Sequence, residues 1–550
     1  MALMRSGDLP LVEGVHKILL QFEQQEGAYA IEWSWALDGA APTPVPRWAL
    51  STGRTSVARA ALWLHRLWVI TTGVSVLVVV MLGFTRLGLG SANLAERSRA
   101  RRAALLCLLA VALGWFYYVA ALEHAATVNR SKARGDQSAW LLDAQQVYAN
   151  WHGHTPPMLI GQRLRTPLYA GYLSLSYTPR MSNLEYFEEA KRWNVRLSLV
   201  LLAALAVVFA RVLPLWPAVN LTLIVAFGYF IFKAGYSQPE LLLYTLFLGA
   251  FLLLCRLLMT REKGWRAIAV GALTGVTAGL TQLTKGIMLP LIVIFLAVYV
   301  ARDALNVSNR RSSIREVTSR VAVALVMTAC FVGVLFPYIS NTKRVFDSYF
   351  YHGTTSVLAW FDSAAEQLAT VNPKLGPDGR IDIPRAQLPT PTTYWRTHSV
   401  RQIAARLRDG FTDIVVTAYT TYWYFKYVVL YVLSTAAVVA ANHRAFFELA
   451  RRNAAMVAFL TAYGVAYLAY TAFFSVISGM GPARFVLMHV MPLLFVLSWI
   501  QTQSPFNLTR WRMAGVDVTP VHVHLFVSAT LALDMAFLVW PRVMTTYGGF

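Results

Sequence analysis

Residues Ala454–Phe474 read AAMVAFLTAYGVAYLAYTAFF, a run without one charged side chain. A helix needs roughly 20 mostly apolar residues to cross the hydrocarbon core of a bilayer, and this run supplies them. Comparable runs occur at Leu67–Phe84, Ala103–Ala121, Leu197–Val212, Val219–Phe232, Leu241–Leu258, Ala267–Leu283, Ile287–Val300, Val321–Tyr338, Tyr424–Ala441, Phe485–Ile500 and Val523–Trp540. The composition agrees: 57% of the 550 residues are hydrophobic, mean hydropathy is +0.48, and 14% are charged. A soluble domain carries about 25% charged residues. The expected fold is therefore all-α, a polytopic membrane protein of about twelve transmembrane helices. The stretches 197–232 and 267–300 are nearly continuous and fit either tight helical hairpins or partly re-entrant segments.

The net charge of +22 would suggest nucleic acid in a soluble protein. Here the arginines fall between the apolar runs, as the positive-inside rule describes, and no nucleic-acid partner is expected. The clusters are Ser98–Arg102 (SRARR), Arg261–Arg266 (REKGWR), the arginines of Arg302–Arg320, His443–Arg452 (HRAFFELARR) and Thr509–Arg512 (TRWR). With all of them cytoplasmic, two long segments fall on the other side: Glu123–Trp193 and Asn341–Trp423. The second should hold a surface helix near Val357–Ala369, a turn at Gly376–Gly379 and an amphipathic stretch at Val400–Leu407. Aromatic residues cluster in both segments, as at Tyr349-Phe350-Tyr351, and any single one fits a membrane-interface belt or a substrate groove equally well. Cys107, Cys255 and Cys330 lie inside apolar runs, with neither a disulfide framework nor zinc spacing. The chain divides into a polar segment 1–66, with Pro-rich Ala41–Arg47 and no signal-peptide core; an added apolar run and basic loop, 67–102; a main region, 103–500; and a last loop and helix, 501–550.

The first long segment carries the chemistry. It reads Arg134-Gly-Asp136-Gln137-Ser-Ala-Trp140-Leu-Leu-Asp143-Ala-Gln-Gln-Val-Tyr148, then Arg163-Leu-Arg165-Thr-Pro167-Leu-Tyr169. Asp136, Trp140 and Asp143 are at helical spacing, so a helix here sets both carboxylates on one face. Asp136 could merely cap that helix, since Asp is favoured there, or it could serve as a base; spacing alone leaves both open. The Trp151-His152-Gly-His154 stretch has no third metal ligand nearby and reads as loop polarity. No Gly-rich phosphate loop suggests a nucleotide-driven pump.

Taken in order, the Gly-Asp-Gln loop, Tyr148, Arg165-Thr-Pro-Leu-Tyr169, Gln238-Pro-Glu240 opening a span, Leu280-Thr-Gln-Leu-Thr-Lys285, Phe361-Asp362 with Ala364–Gln367, and Arg484-Phe485 before Pro492 resemble the GT-C superfamily of membrane glycosyltransferases. The nearest branch is the bacterial group similar to protein O-mannosyltransferases and aminoarabinose transferases. The resemblance covers about residues 103–500. It implies a hexosyl or pentosyl transferase in a bacterial plasma membrane, with its site facing the periplasm or exterior. The donor would be a polyprenyl-phosphate-linked sugar and the acceptor a glycan, lipid or protein. The first-loop Asp typically activates the acceptor in that family, a role that carries over to Asp136, with Asp143 as second candidate. The superfamily often has adjacent acidic residues at this point; Asp136-Gln137 departs from that. No cofactor and no metal ligands are assigned, and a divalent metal stays open.

A glycosyl phosphate has a good leaving group, so the protein must take a proton from a hydroxyl and stabilise phosphate charge. Arginine's fork suits phosphate. Arg165 and Lys285 are the first candidates for donor phosphate, with Arg163, Arg344 and Arg484 behind them. Gln137, Tyr148, Tyr169, Glu240 and Tyr349 are candidate substrate contacts. Charge within a span defaults to function, which singles out Lys285 and Glu240; Lys233 can snorkel, and Asp534 has no assigned role. Two other readings use the same spans: a secondary transporter or flippase, which does not need two long structured loops on one side, and a ligase for lipid-linked oligosaccharide.

Overall fold

The computed structural model describes residues 34–35, 43–44, 95–127, 133, 136–153, 165–259, 264–308, 314–347, 349, 357, 359–374, 383–384, 387–421, 424–475, 483–513 and 516–543. The chain separates into the units Met1–Trp68 and Val69–Phe550. In the first, β1 (Ser34–Trp35) pairs antiparallel with β2 (Thr43–Pro44). The second is mostly helical. In chain order its longer elements are α1 (Ala95–Thr127), α2 (Asp136–Trp151), α3 (Pro167–Ser174), α4 (Asn183–Val212) and α5 (Leu215–Val225, running on through a π turn at Ala226–Phe230 to Ala234). Next come α6 (Glu240–Met259), α7 (Trp265–Thr284), α8 (Leu289–Ser308), α9 (Ile314–Phe346), α10 (Ala364–Val371), α11 (Pro391–Thr397) and α12 (Val400–Thr421). The last are α13 (Phe425–Ala441), α14 (His443–Arg452), α15 (Ala454–Ser475), α16 (Ala483–Thr502), a hairpin of β3 (Trp511–Met513) and β4 (Val516–Val518), and α17 (Pro520–Asp534, extended by a π turn at Met535–Val539).

Seven described helices are long and apolar enough to cross a membrane: α4, α5 through Ala234, α6, α7, α9, α15 and α17 through Val539. Counting the bent pair α13–α14 as one span gives eight. The apolar parts of α8 and α16, Leu289–Arg302 and Val486–Thr502, are shorter. The apolar run 67–84 and the turn expected at Gly376–Gly379 lie outside the described residues, and the run 103–121 falls within α1.

The near-continuous stretch 197–232 is two helices: Leu213 adopts an extended conformation at the end of α4 and Pro214 precedes α5. Proline bars continuation because it lacks the N–H and disfavours helix in the residue before it. The stretch 267–300 breaks at Lys285, which is extended at the end of α7. Gln282 holds this break, its Oε1 accepting from the amides of Met288 (2.7 Å) and Leu289 (3.2 Å). Span α4 begins earlier than the apolar run suggests, at Asn183, because Ser182 and Glu185 form a reciprocal capping box. The surface helix expected near Val357–Ala369 forms at Ala364–Val371, and the amphipathic stretch at Val400–Leu407 continues as α12 to Thr421.

Helix direction follows from the contacts. On α7, Gly271 faces Val323 of α9, Gly275 faces Met327, and Gly279 faces Phe331 and Val334. The two series ascend together, so α7 and α9 run parallel. Glycine every fourth residue lets two backbones approach closely, a driving device where lipid removes the hydrophobic gain of association. Glu240, opening α6, meets Lys285 after α7. Arg302 of α8 donates to the carbonyl of Leu258 near the end of α6 (3.2 Å). Thus α6 and α8 start at one end of the bundle and finish at the other, while α7 and α9 finish where α6 starts. The segments before α4 and after α9 leave the bundle at this same end.

Candidate functional site

Helix α2 forms over the stretch where Asp136, Trp140 and Asp143 share a face. Asp136 is its first residue, and a carboxylate in the first turn complements the positive end of the helix. The guanidinium of Arg165 closes the face. One terminal nitrogen donates to Asp136 Oδ1 at 3.1 Å, and the other is 3.9 Å from Asp143 Oδ2. The Arg165 carbon centre lies 5.4 Å from the centroid of the Trp140 ring, within cation–π range. Arg165 lies two residues before α3, which Pro167 opens after the N-cap Thr166. The Asp136 side chain is 39% exposed and that of Asp143 11%, so Asp136 is the more accessible of the two carboxylates.

Beneath this face the polar contacts run into the span ends. Tyr169 packs edge-on against Trp140 and donates to Asn194 Oδ1 at 3.0 Å. Asn194 in turn donates to the carbonyls of Ala234 (3.1 Å) and Tyr236 (2.7 Å), capping the end of α5. Burial, and after it the negative charge of Glu240, push the Tyr169 hydroxyl well above its ordinary range, so it remains a donor at any working pH. Gln137 Oε1 accepts from the Ser237 amide at 3.1 Å. Ser237 lies just before Glu240, whose buried carboxylate is 3.9 Å from the Lys285 ammonium. Gly235 allows this assembly: a Cβ there would sit 3.0 Å from the Ala125 backbone of α1.

The residues brought together are thus Asp136, Gln137, Asp143, Arg165, Tyr169, Glu240 and Lys285. Tyr148, also on α2, stacks on His152 (centroids 4.0 Å apart) and meets Tyr177 edge-on. Arg344 is exposed and donates to Asn341 Oδ1 at 3.0 Å. Tyr349 is exposed beside Lys343, with its carbonyl accepting from Thr342. None of the contacts described for these last two is with the α2 face. Arg163 and the side chain of Arg484 lie outside the described residues. Among the described residues, no three His, Cys, Asp or Glu side chains gather to hold a metal ion.

Two residues, Asn194 and Arg406, escape a reading by motif. Asn194 is the hub under the site; its signal is a lone amide where α4 turns apolar. Arg406 is buried in the second long segment, donating to the carbonyls of Phe473 (3.0 Å) and Ala359 (2.9 Å) and to the Tyr394 hydroxyl (2.8 Å). Asp362 accepts from His398 at 3.1 Å and is 3.8 Å from Arg406. Asp534 is paired with Lys426 at 2.6 Å and hydrogen-bonded by Tyr427, joining α17 to α13.

Arg165 and Lys285 are the cations of this group, each beside carboxylates, and Asp136 is its more accessible acid. The chain matches no known family profile and no curated protein in sequence.

Proposed function

We propose that this chain is a membrane glycosyltransferase that moves a sugar from a polyprenyl-phosphate carrier to a hydroxyl acceptor. The site would face the non-cytoplasmic side of a bacterial plasma membrane, and the full chain would cross about twelve times. The observation that carries the reading is the sharing of one guanidinium by Asp136 and Asp143 on a single helix face, at the bundle end where Glu240 and Lys285 also meet. A lipid-borne substrate meets water at such a place, so a phosphate and an acceptor could both be reached.

Asp136 takes the acceptor proton as the hydroxyl oxygen attacks the anomeric carbon. The bond from that carbon to phosphate oxygen breaks, and the lipid phosphate leaves with the electron pair. Direct displacement inverts the anomeric centre. Arg165 and Lys285 stabilise the charge on the leaving phosphate, exchanging part of their carboxylate contacts for it. Asp143 keeps Arg165 positioned when Asp136 takes up the proton.

The test is sugar transfer by folded, membrane-inserted Asp136→Asn protein. The substitution keeps size and much of the helix-start preference, so a mere cap would lose little turnover per folded molecule. Loss of a general base lowers the rate by about 100- to 10,000-fold. Near-normal turnover would reject the role and move it to Asp143.

A further inference from the structure

Helix α14 (HRAFFELARR) leaves the end of α13 at 99°. Membrane spans tilt by at most about 40° from the bilayer normal, so a helix turned through a right angle from one lies along the surface. Two contacts fix it there. Phe446 packs edge-on against Phe506 at 6.5 Å, and Asn442 Nδ2 donates to Thr509 Oγ1 at 2.7 Å. The following span, α15, reaches the site end, where Tyr467 donates to the carbonyl of Ile287 at 2.6 Å. Helix α14 therefore sits at the opposite end of the bundle from Asp136.

Its outer face combines two chemistries. Phe447 is 69% exposed and Leu508, on the adjoining turn, 70%. Exposed Arg444, Arg451, Arg452 and Arg510 lie beside them in the chain. Glu448 pairs with Arg452, which leaves a net positive face. No residue of α14 is buried. Exposed apolar side chains among arginines, on a helix bent 99° from the one before it, match an interfacial helix whose apolar side chains enter the acyl boundary while its cations meet headgroup phosphates.

We propose that α14 and the turn 505–510 form an in-plane docking surface for acidic phospholipids of the leaflet at the end remote from the Asp136 site. An acidic protein segment would answer the charges. The exposed Phe447 and Leu508 at a span's end answer to acyl chains, and this favours lipid. The inference stands apart from the transferase reading, because nothing in it involves Asp136 or Arg165.

The experiment uses the purified full chain in neutral detergent, offered equal amounts of phosphatidylglycerol and phosphatidylcholine, with bound lipid counted by native mass spectrometry. The wild-type protein should retain phosphatidylglycerol in preference. Each arginine near an anionic lipid surface contributes about 1 kcal/mol, or roughly fivefold, so Arg444→Gln/Arg451→Gln/Arg452→Gln should lose roughly a hundredfold of that preference at low salt. The corresponding Arg→Lys triple variant should keep most of it. Phe447→Ser should reduce total retention of both lipids while leaving their ratio. Should the triple Gln variant not fold, Arg510→Gln alone should lower the preference about fivefold. Wild-type selectivity in a folded triple Gln variant, or in Arg510→Gln where the triple does not fold, overturns the proposal. So does an acidic protein that co-purifies through these arginines while lipid selectivity is unchanged.

Discussion

Arg165 is the residue on which the site turns. It carries two carboxylates and a tryptophan face at once, and only a planar guanidinium can serve that geometry. Lysine at this position would keep the charge and lose the fork. The exposed side of the pair is where a phosphate could displace a carboxylate. Arg165→Ala and Lys285→Ala should each raise the half-saturating donor concentration; a charge-assisted contact worth about 1.5–3 kcal/mol corresponds to roughly ten- to hundredfold. Donor titration of purified variants measures it. Wild-type values in both would shift the phosphate site toward Arg344 and Arg484. The sequence displayed Asp136, Trp140 and Asp143 on one face because helical spacing is local. It did not display that Arg165 would bind both carboxylates, since no periodicity relates α2 to the residue before α3. Asn194 was hidden for the same reason: its acceptor carbonyls lie 40 and 42 residues away.

At the level of the element, α7 against α9 is the contact that sets the register of the bundle. Met327 approaches Gly275 so closely that a Cβ there would drive into its carbonyl oxygen and onto Cys330, while Gly271 and Gly279 admit side chains of α9. Backbone cannot yield as a flexible side chain can, and forced overpacking costs about 1–3 kcal/mol or more. Gly275→Ala should therefore lower the unfolding temperature in detergent and the yield of inserted protein. Gly464→Ala is the matched control, because a Cβ on Gly464 of α15 meets nothing within 4 Å. Equal behaviour of the two variants would show that α7 and α9 separate at no cost. Element type was legible because long apolar runs admit one answer in lipid, a helix with its own backbone satisfied. The π turns at 226–230 and 535–539 and the right-angle exit of α14 were not. Gly228 in the first lies against Tyr424, Asp534 just before the second pairs with Lys426, and Asn442 at the exit donates to Thr509, all contacts between distant parts of the chain.

Among the described residues, the spans turn apolar side chains outward and keep polar ones inside, as a bilayer demands. Leu325, Leu433 and Val465 on the spans are 65%, 63% and 64% exposed, while Asn220, His524 and Ser528 are buried and hydrogen-bonded to one another. Which loops share a side then depends on parity, and parity depends on α8, whose apolar part, Leu289–Arg302, is short. A non-crossing α8 would put five spans between the two long segments and set them on opposite sides. The contacts argue for six. Lys285, before α8, is level with Glu240 at the start of α6, and Arg302 is level with Leu258 near its end, so α8 traverses the same depth as a full span. At about 1.5 Å rise per residue, the apolar Leu289–Arg302 reaches roughly 21 Å and the whole of α8 roughly 30 Å, the thickness of the hydrocarbon core. The parallel course of α7 and α9 gives the same answer independently. In a cysteine-free background, Thr178→Cys and Lys374→Cys, both exposed in the two long segments, should react with an impermeant maleimide added to intact cells. Arg451→Cys on α14 should react only after permeabilisation. Labelling of Thr178→Cys from outside with Lys374→Cys protected would mean an odd number of crossings between them, and the second segment could then take no part in a site with Asp136.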